Sequence, residues 1–154
     1  MKDAKLKKLS TRLSSIKAKD IMTKDVIVTA PETHLADIAE LMIKKRISGL
    51  PVVDKEGDVA GTITANDLFL VMDMIRSGDI VEGEKLSISE PTVRFAMSAG
   101  AIVINTMTTL EEIIAIMKYR NAHTLPVFDG RKMVGVVGRR DIFKNFYAVV
   151  KEIY

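Results

Sequence analysis

Two short stretches bring a carboxylate to the place where an apolar run gives way to polar residues. The first is Gly61-Thr62-Ile63-Thr64-Ala65-Asn66-Asp67. Glycine lets a ligand or another backbone come close. Thr64 offers a hydroxyl, and Asp67, three positions on, offers a carboxylate that can accept both hydroxyls of a ribose. If a helix begins there, its free N–H groups and its dipole favour an anion, so a phosphate could dock. The same Thr-x-x-Asp spacing is also an ordinary capping arrangement, with Thr64 as the cap and Asp67 at the third helical position. The second stretch is Gly135-Val136-Val137-Gly138-Arg139-Arg140-Asp141. Gly138 stands where Thr64 stood, so that hydroxyl is missing, and two arginines appear. Arginine binds phosphate through paired hydrogen bonds, and it equally decorates a basic surface turn.

Both stretches belong to a longer internal repeat. Leu50-Pro51-Val52-Val53-Asp54 returns as Leu125-Pro126-Val127-Phe128-Asp129, an offset of about 75 positions. At that offset Met22 falls on Met97, Leu35 on Leu110, Ile38 on Ile113 and Met42 on Met117. One residue is lost in the following turn, so Gly61 falls on Gly135 and Asp67 on Asp141. Each copy opens with a short apolar run, at 26–28 and at 101–104. A helix follows, over 33–46 and over 108–121, on the evidence of apolar residues at helical spacing. Thr108 or Thr109 can cap the second of these, with Glu111 or Glu112 reaching back. Two strands around a tight turn come next, 50–53 with 59–63 and 125–128 with 133–137. A closing helix ends each copy, over 66–77 and 140–153. The order β-α-β-β-α, twice, is an α/β (α+β) class. One copy is too small to bury both faces of its sheet, so two copies packed with pseudo-twofold symmetry are expected. The division is 1–17 as a basic helix, 18–77 and 93–154 as the repeats, and 78–92 as a linker carrying Gly78, Gly83 and Pro91.

Composition narrows the function. Hydrophobic residues make up 47% of the 154, enough for a true core. There is no cysteine, which removes disulfides, thiol nucleophiles and cysteine-held metal. With two histidines besides, a zinc cluster is not expected, and neither GxGxxG nor GxxxxGK[ST] occurs. No Ser-His-Asp set stands out. His123 and His34 read as surface or packing residues, and Met42, Met72, Met74 and Met117 as core. These gaps speak against an enzyme. No run spans a bilayer and residues 1–17 lack the apolar stretch of a signal peptide, so a cytoplasmic location is expected. Lys2, Lys5, Lys7, Lys8, Arg12 and Lys17 against Asp3 give the first seventeen residues +5, leaving −2 for the rest of a chain that carries +3. Such a head could touch nucleic acid or an acidic membrane, but Leu6, Leu9, Leu13 and Ile16 recur on one helical side, which points to packing on the body or a partner chain.

Lys19-Asp20-Ile21-Met22-Thr23, Ile47-Ser48-Gly49-Leu50-Pro51-Val52-Val53-Asp54 and the 61–67 turn, with Ala122-His123-Thr124-Leu125-Pro126-Val127 and 135–141, resemble the cystathionine-β-synthase (CBS) domain. The pair, over residues 18–145, resembles a Bateman module. The resemblance implies a regulatory module that binds an adenosine-containing ligand, AMP, ADP, ATP or S-adenosylmethionine, in clefts between the copies. One cleft would join Thr64, Asn66 and Asp67, holding ribose and phosphate, to Met97, Ala122, His123, Thr124 and Pro126, holding the base. The other would join Arg139, Arg140 and Asp141 to Met22, Thr23, Ile47, Ser48, Gly49 and Pro51. Gly138 departs from the family's hydroxyl, so Arg139 compensates, or the cleft prefers more phosphate, or it stays empty. The resemblance also implies a homodimer, here through Leu68, Leu70, Val71, Met74, Ile142, Phe143, Phe146 and Val149, and an energy-sensing signal passed to a separate effector protein. Two alternatives stay open: a ligand-free interaction scaffold in which Thr64 and Asp67 only cap a helix, and a nucleic-acid binder led by the basic head.

Overall fold

The computed structural model describes residues 2–78 and 91–154, so most of the expected linker, residues 79–90, lies outside the described residues. In chain order the elements are α1 (Lys2–Ser14), α2 (Ala18–Ile21), α3 (Leu35–Lys45), β1 (Gly49–Val53), β2 (Val59–Thr64), α4 (Ala65–Ser77), α5 (Val93–Ala96), β3 (Ser98–Ala99), β4 (Ile104–Asn105), α6 (Leu110–Tyr119), β5 (Thr124–Asp129), β6 (Lys132–Gly138) and α7 (Arg139–Ile153). They form two compact bodies, one of Met1–Val26 with Ile102–Tyr154, the other of Ile27–Ala101.

The second body holds the sheet β1-β2-β3, antiparallel throughout. Its core is Leu35, Ile38, Met42, Leu50, Val52, Ile63, Val71 and Val93. Those residues recur at helical spacing on α3 (Leu35, Ile38, Met42) and at alternate positions on β1 (Leu50, Val52), as one-sided burial requires. The hairpin turns at Gly57, whose φ of +86° suits glycine, and Asp54 Oδ1 accepts the N–H groups of Glu56 and Asp58 inside it. The first body holds β4-β5-β6, with β4 parallel to β5 and β6 antiparallel to it. Its core holds the counterparts Leu110, Ile113, Met117, Leu125, Val127 and Val137, joined by Ile104 and Val149 and, from the head of the chain, by Ile16, Ala18 and Ile21.

The helices end and begin in repeated ways. Arg46, the cap of α3, and Asn121, just past the cap of α6, lie 75 positions apart and both take the left-handed region, at φ 53° and 50°. Of the two candidate caps for α6, Thr109 is the one used. Its hydroxyl accepts the Glu112 N–H, while Glu112 Oε2 accepts the Thr109 N–H at 2.8 Å. Those bonds, first the backbone N–H and then the Thr109 hydroxyl, hold the Glu112 carboxyl below its ordinary pKa.

Two expectations change. The run 26–28 forms no strand; the ladder contact falls one residue later, where Thr29 donates to the Pro51 carbonyl and accepts from the Val53 N–H. Thr29 is the counterpart of Ile104, which does begin β4. Met72, expected in the core, is exposed, because Val71 and Leu68 take the inward positions of α4.

The bodies do not follow the sequence repeats, because each repeat's leading segment is built into the other body. Lys17 bridges Thr109, and Thr92 bridges His34. Ala18 donates to the Thr108 carbonyl and Val93 to that of Thr33, both at 2.8 Å. These pairs are related by the same offset of 75. In the first body α1 also packs on α6 and α7, with Leu9 and Leu13 against the core, and Leu6 left exposed.

Candidate functional site

The carboxylate of the first bend is held from one side only. Thr64 is the N-cap of α4. Its N–H donates to Asp67 Oδ2 at 2.8 Å and its hydroxyl donates to the same oxygen at 3.1 Å. The Asp67 N–H returns a long bond of 3.4 Å to the Thr64 hydroxyl. The capping reading therefore holds, and it does not use up the carboxylate. Asp67 Oδ1 receives no hydrogen bond among the described residues, and Asp67 is half-buried at the first turn of a 13-residue helix. Asn66, next to it, is exposed. An oxygen with open lone pairs beside free helical N–H groups can accept hydroxyl donors and sit near an anion without breaking the cap.

The second bend reaches a similar count by another route. The Gly138 N–H donates to Asp141 Oδ2 at 2.8 Å. The second donor is the Thr23 hydroxyl, which donates to Asp141 Oδ1 at 3.0 Å from 118 positions away. Thr23 is held there by a two-way backbone bridge to Val136, at 2.9 and 3.0 Å. Arg139 and Arg140 are exposed at the start of α7, with no ion pair among the described residues.

Each bend abuts the residues before its own body's Pro-Val strand. Gly49 pairs with Thr64, and the Ser48 carbonyl accepts the Ala65 N–H at 2.8 Å. Ile47 is partly buried against the same core, and Pro51, fully buried in β1, pairs with Thr62. In the first body Thr124 pairs with Gly138, Pro126 with Val136, and Ala122 packs on the core. His123 Nε2 lies 3.2 Å from Asn121 Oδ1. The structure thus gathers Thr64, Asn66, Asp67, Met97, Ile47, Ser48, Gly49 and Pro51 in one body, and Met22, Thr23, Ala122, His123, Thr124, Pro126, Arg139, Arg140 and Asp141 in the other. Each cleft implied by the resemblance draws on both lists.

Two features escape the sequence reading. Ser98-Ala99 adds a strand to β2 at Gly61 and Thr62. Met97 and Met22 lie over glycines: a β-carbon on Gly61 would stand 2.6 Å from Met97 Cε, and one on Gly135 would stand 2.7 Å from Met22 Sδ. The signal was present, since methionine and glycine both repeat. A groove of about 590 Å³ lined by residues such as Val28, Thr33, Asp37 and Lys44 contains none of the expected site residues. Among the described residues no three His, Asp or Glu side chains are grouped to hold a metal ion, and no helix is long and apolar enough to cross a membrane.

The CBS domain family matches at residues 18–73 and 93–148. A methylated protein of Methanocaldococcus jannaschii is 30% identical over 150 residues, covering 92% of this chain and 80% of that one. An inosine-5'-monophosphate dehydrogenase of the same organism is 27% identical over 130 residues, 84% of this chain. The chain spans only 23% of that dehydrogenase, and 31% and 46% of two uncharacterised relatives from that organism. Among solved structures, the CBS domain pair of protein MJ0100, in complex with 5'-methylthioadenosine and S-adenosyl-L-methionine, superposes with a TM-score of 0.71 at 25% identity, covering 86% of this chain and 97% of that one. A putative signal-transduction protein with CBS domains from Burkholderia ambifaria shares the fold, at a TM-score of 0.70 and 24% identity over 86% and 95% of the two chains. With both repeats matched at the positions where the structure repeats its elements, this chain belongs to the CBS domain family.

Proposed function

We propose that the chain is a regulatory module that binds an adenosine-containing ligand at its Asp-bearing bends and passes the signal to a separate protein. The observation that carries this reading is Asp67, fixed through Oδ2 and open at Oδ1 beside the start of α4. An acceptor already oriented by its own cap loses little freedom when it receives a ribose hydroxyl. The bound 5'-methylthioadenosine and S-adenosyl-L-methionine of the MJ0100 pair support the ligand class. AMP, ADP and ATP present the same ribose and belong to the same proposal, with energy sensing as the use. The ligand contacts are those of the two clefts implied by the resemblance, on repeats 18–77 and 93–154.

A regulatory role, not catalysis, is part of this reading, and the two matched segments are both CBS domains. Output through a homodimer is part of the reading, and the structure changes which residues would form it. Val71 and Val149, 8% and 5% exposed, are committed to their own cores. Phe69, Leu70, Met72 and Ile75 on α4, and Phe143, Phe146 and Tyr147 on α7, are the apolar side chains left outward. A cytoplasmic setting accords with nucleotide sensing.

A thermal-shift screen against 5'-methylthioadenosine, S-adenosylmethionine, AMP, ADP and ATP tests the proposal. At about a hundred times its dissociation constant a ligand stabilises the fold by about 2.7 kcal/mol. No shift with any of the five removes the adenosyl reading and leaves the interaction scaffold and the nucleic-acid binder.

A further inference from the structure

We infer that Thr23 is a positioning residue for Asp141, replacing from the leading segment the hydroxyl that the second bend lost at Gly138. The inference rests on the adenosyl reading above and deepens it: the second bend is a working acceptor and not a vestige.

The offset makes the substitution visible. Thr64 corresponds to Gly138, and Thr23 corresponds to Ser98. In the first bend Thr64 supplies the hydroxyl, and Ser98, in β3, makes no hydrogen bond to Asp67 among the described residues. In the second bend Gly138 can supply none, and Thr23 does. Each aspartate therefore receives one backbone N–H and one hydroxyl, the hydroxyl coming from the bend position at Asp67 and from the leading-segment position at Asp141. A carboxylate held by the N–H alone can swing about its Cα–Cβ and Cβ–Cγ bonds. A second donor on the other oxygen fixes the plane. Thr23 is itself fixed by the Val136 bridge, so the hydroxyl arrives pre-oriented. One lone pair on each Asp141 oxygen stays open, enough for a diol to donate to both. At Asp67 both open positions are on Oδ1. The two bends thus present different acceptor patterns to the same ribose.

Calorimetric titration of the full chain tests this, with 5'-methylthioadenosine, AMP and ATP as separate probes. Asp67→Ala isolates the second bend, and Asp141→Ala isolates the first. In the Asp67→Ala background, Thr23→Val should weaken binding about tenfold, the loss of one hydrogen bond to a charged group. Thr23→Ser should restore it, because the hydroxyl returns while the methyl does not. In the Asp141→Ala background, Thr23→Val should leave the affinity unchanged. Unfolding midpoints of the Val and Ser variants control for a merely structural effect. Undiminished or tighter binding by Thr23→Val at the second bend overturns the inference, and so does an Asp67→Ala chain that binds no probe while wild type binds one. A wild-type chain silent to all three overturns the adenosyl reading itself, and the inference with it.

Discussion

Met97 and the Ser98 carbonyl lie across Gly61 so closely that the glycine hydrogen is the only substituent its α-carbon can carry. A β-carbon there would stand 2.6 Å from Met97 Cε and would also strike the carbonyl oxygen of Ser98. Met22 and Gly135 repeat the relationship, but the nearest atoms are the Met22 side chain at 2.7 and 2.9 Å, with the Thr23 carbonyl at 3.0 Å. Backbone cannot yield as a thioether can. Gly61→Ala should therefore cost about 1–3 kcal/mol as overpacking, and Gly135→Ala less. Urea unfolding of the two variants checks the order. Equal costs would show that Met97 and not the Ser98 backbone sets the limit.

The acid limb of stability should carry the α6 cap. Glu112 is held below its ordinary pKa by the Thr109 N–H and, second, by the Thr109 hydroxyl. A lowered folded value means the stabilisation is fully present above the unfolded carboxylate range, about 4.3. It fades as the pH falls from there through the folded value. An NMR titration of the Glu112 carboxyl carbon should show this, and Thr109→Ala should move the midpoint part of the way back up. No movement in Thr109→Ala would assign the whole effect to the backbone.

Thr64→Ala should weaken the start of α4 by about 1 kcal/mol. It should leave Asp67 with its bond from the residue 64 N–H alone, so ligand affinity falls while binding persists. Urea unfolding and calorimetry on the same variant separate the two effects. A variant with wild-type stability would contradict the capping role.

The outward face of α4 and α7 can be tested apart from the cores. Phe69, 64% exposed, and Phe146 should tolerate aspartate without loss of folding. On the proposed homodimer, sedimentation velocity should show wild type as a dimer and Phe69→Asp and Phe146→Asp as monomers. Val71→Asp, in contrast, should fail to fold, since it buries an unpaired charge. Wild-type association in both Phe variants would place the dimer contact elsewhere.

Much of this was legible in the sequence, and what was hidden has a common cause. The hairpins and helices of both repeats signal locally, through alternation, helical spacing and turn glycines, and they form within a residue or two of expectation. Thr64 and Asp67 are readable as a cap, which the hydrogen bonds show, and those bonds leave Asp67 Oδ1 open for the acceptor role proposed above. What stayed hidden depends on partners far off in the chain. The bridge from Lys17 to Thr109 has no local signature, so the exchange of leading segments could not be read. Nor could the Thr23 hydroxyl be placed on Asp141, although Gly138 announced that a donor was missing. Met72 was misjudged for a different reason: helical spacing fixes a stripe, but Val71 and Leu68 occupy its inward side.

The most direct measurement is a titration of the wild-type chain and of Asp67→Ala with each of the five adenosyl compounds, read by calorimetry. Wild type should bind at least one of them, and Asp67→Ala should lose one site while unfolding cooperatively as before. A mutant that binds every compound with wild-type affinity and stoichiometry would contradict the account at its centre.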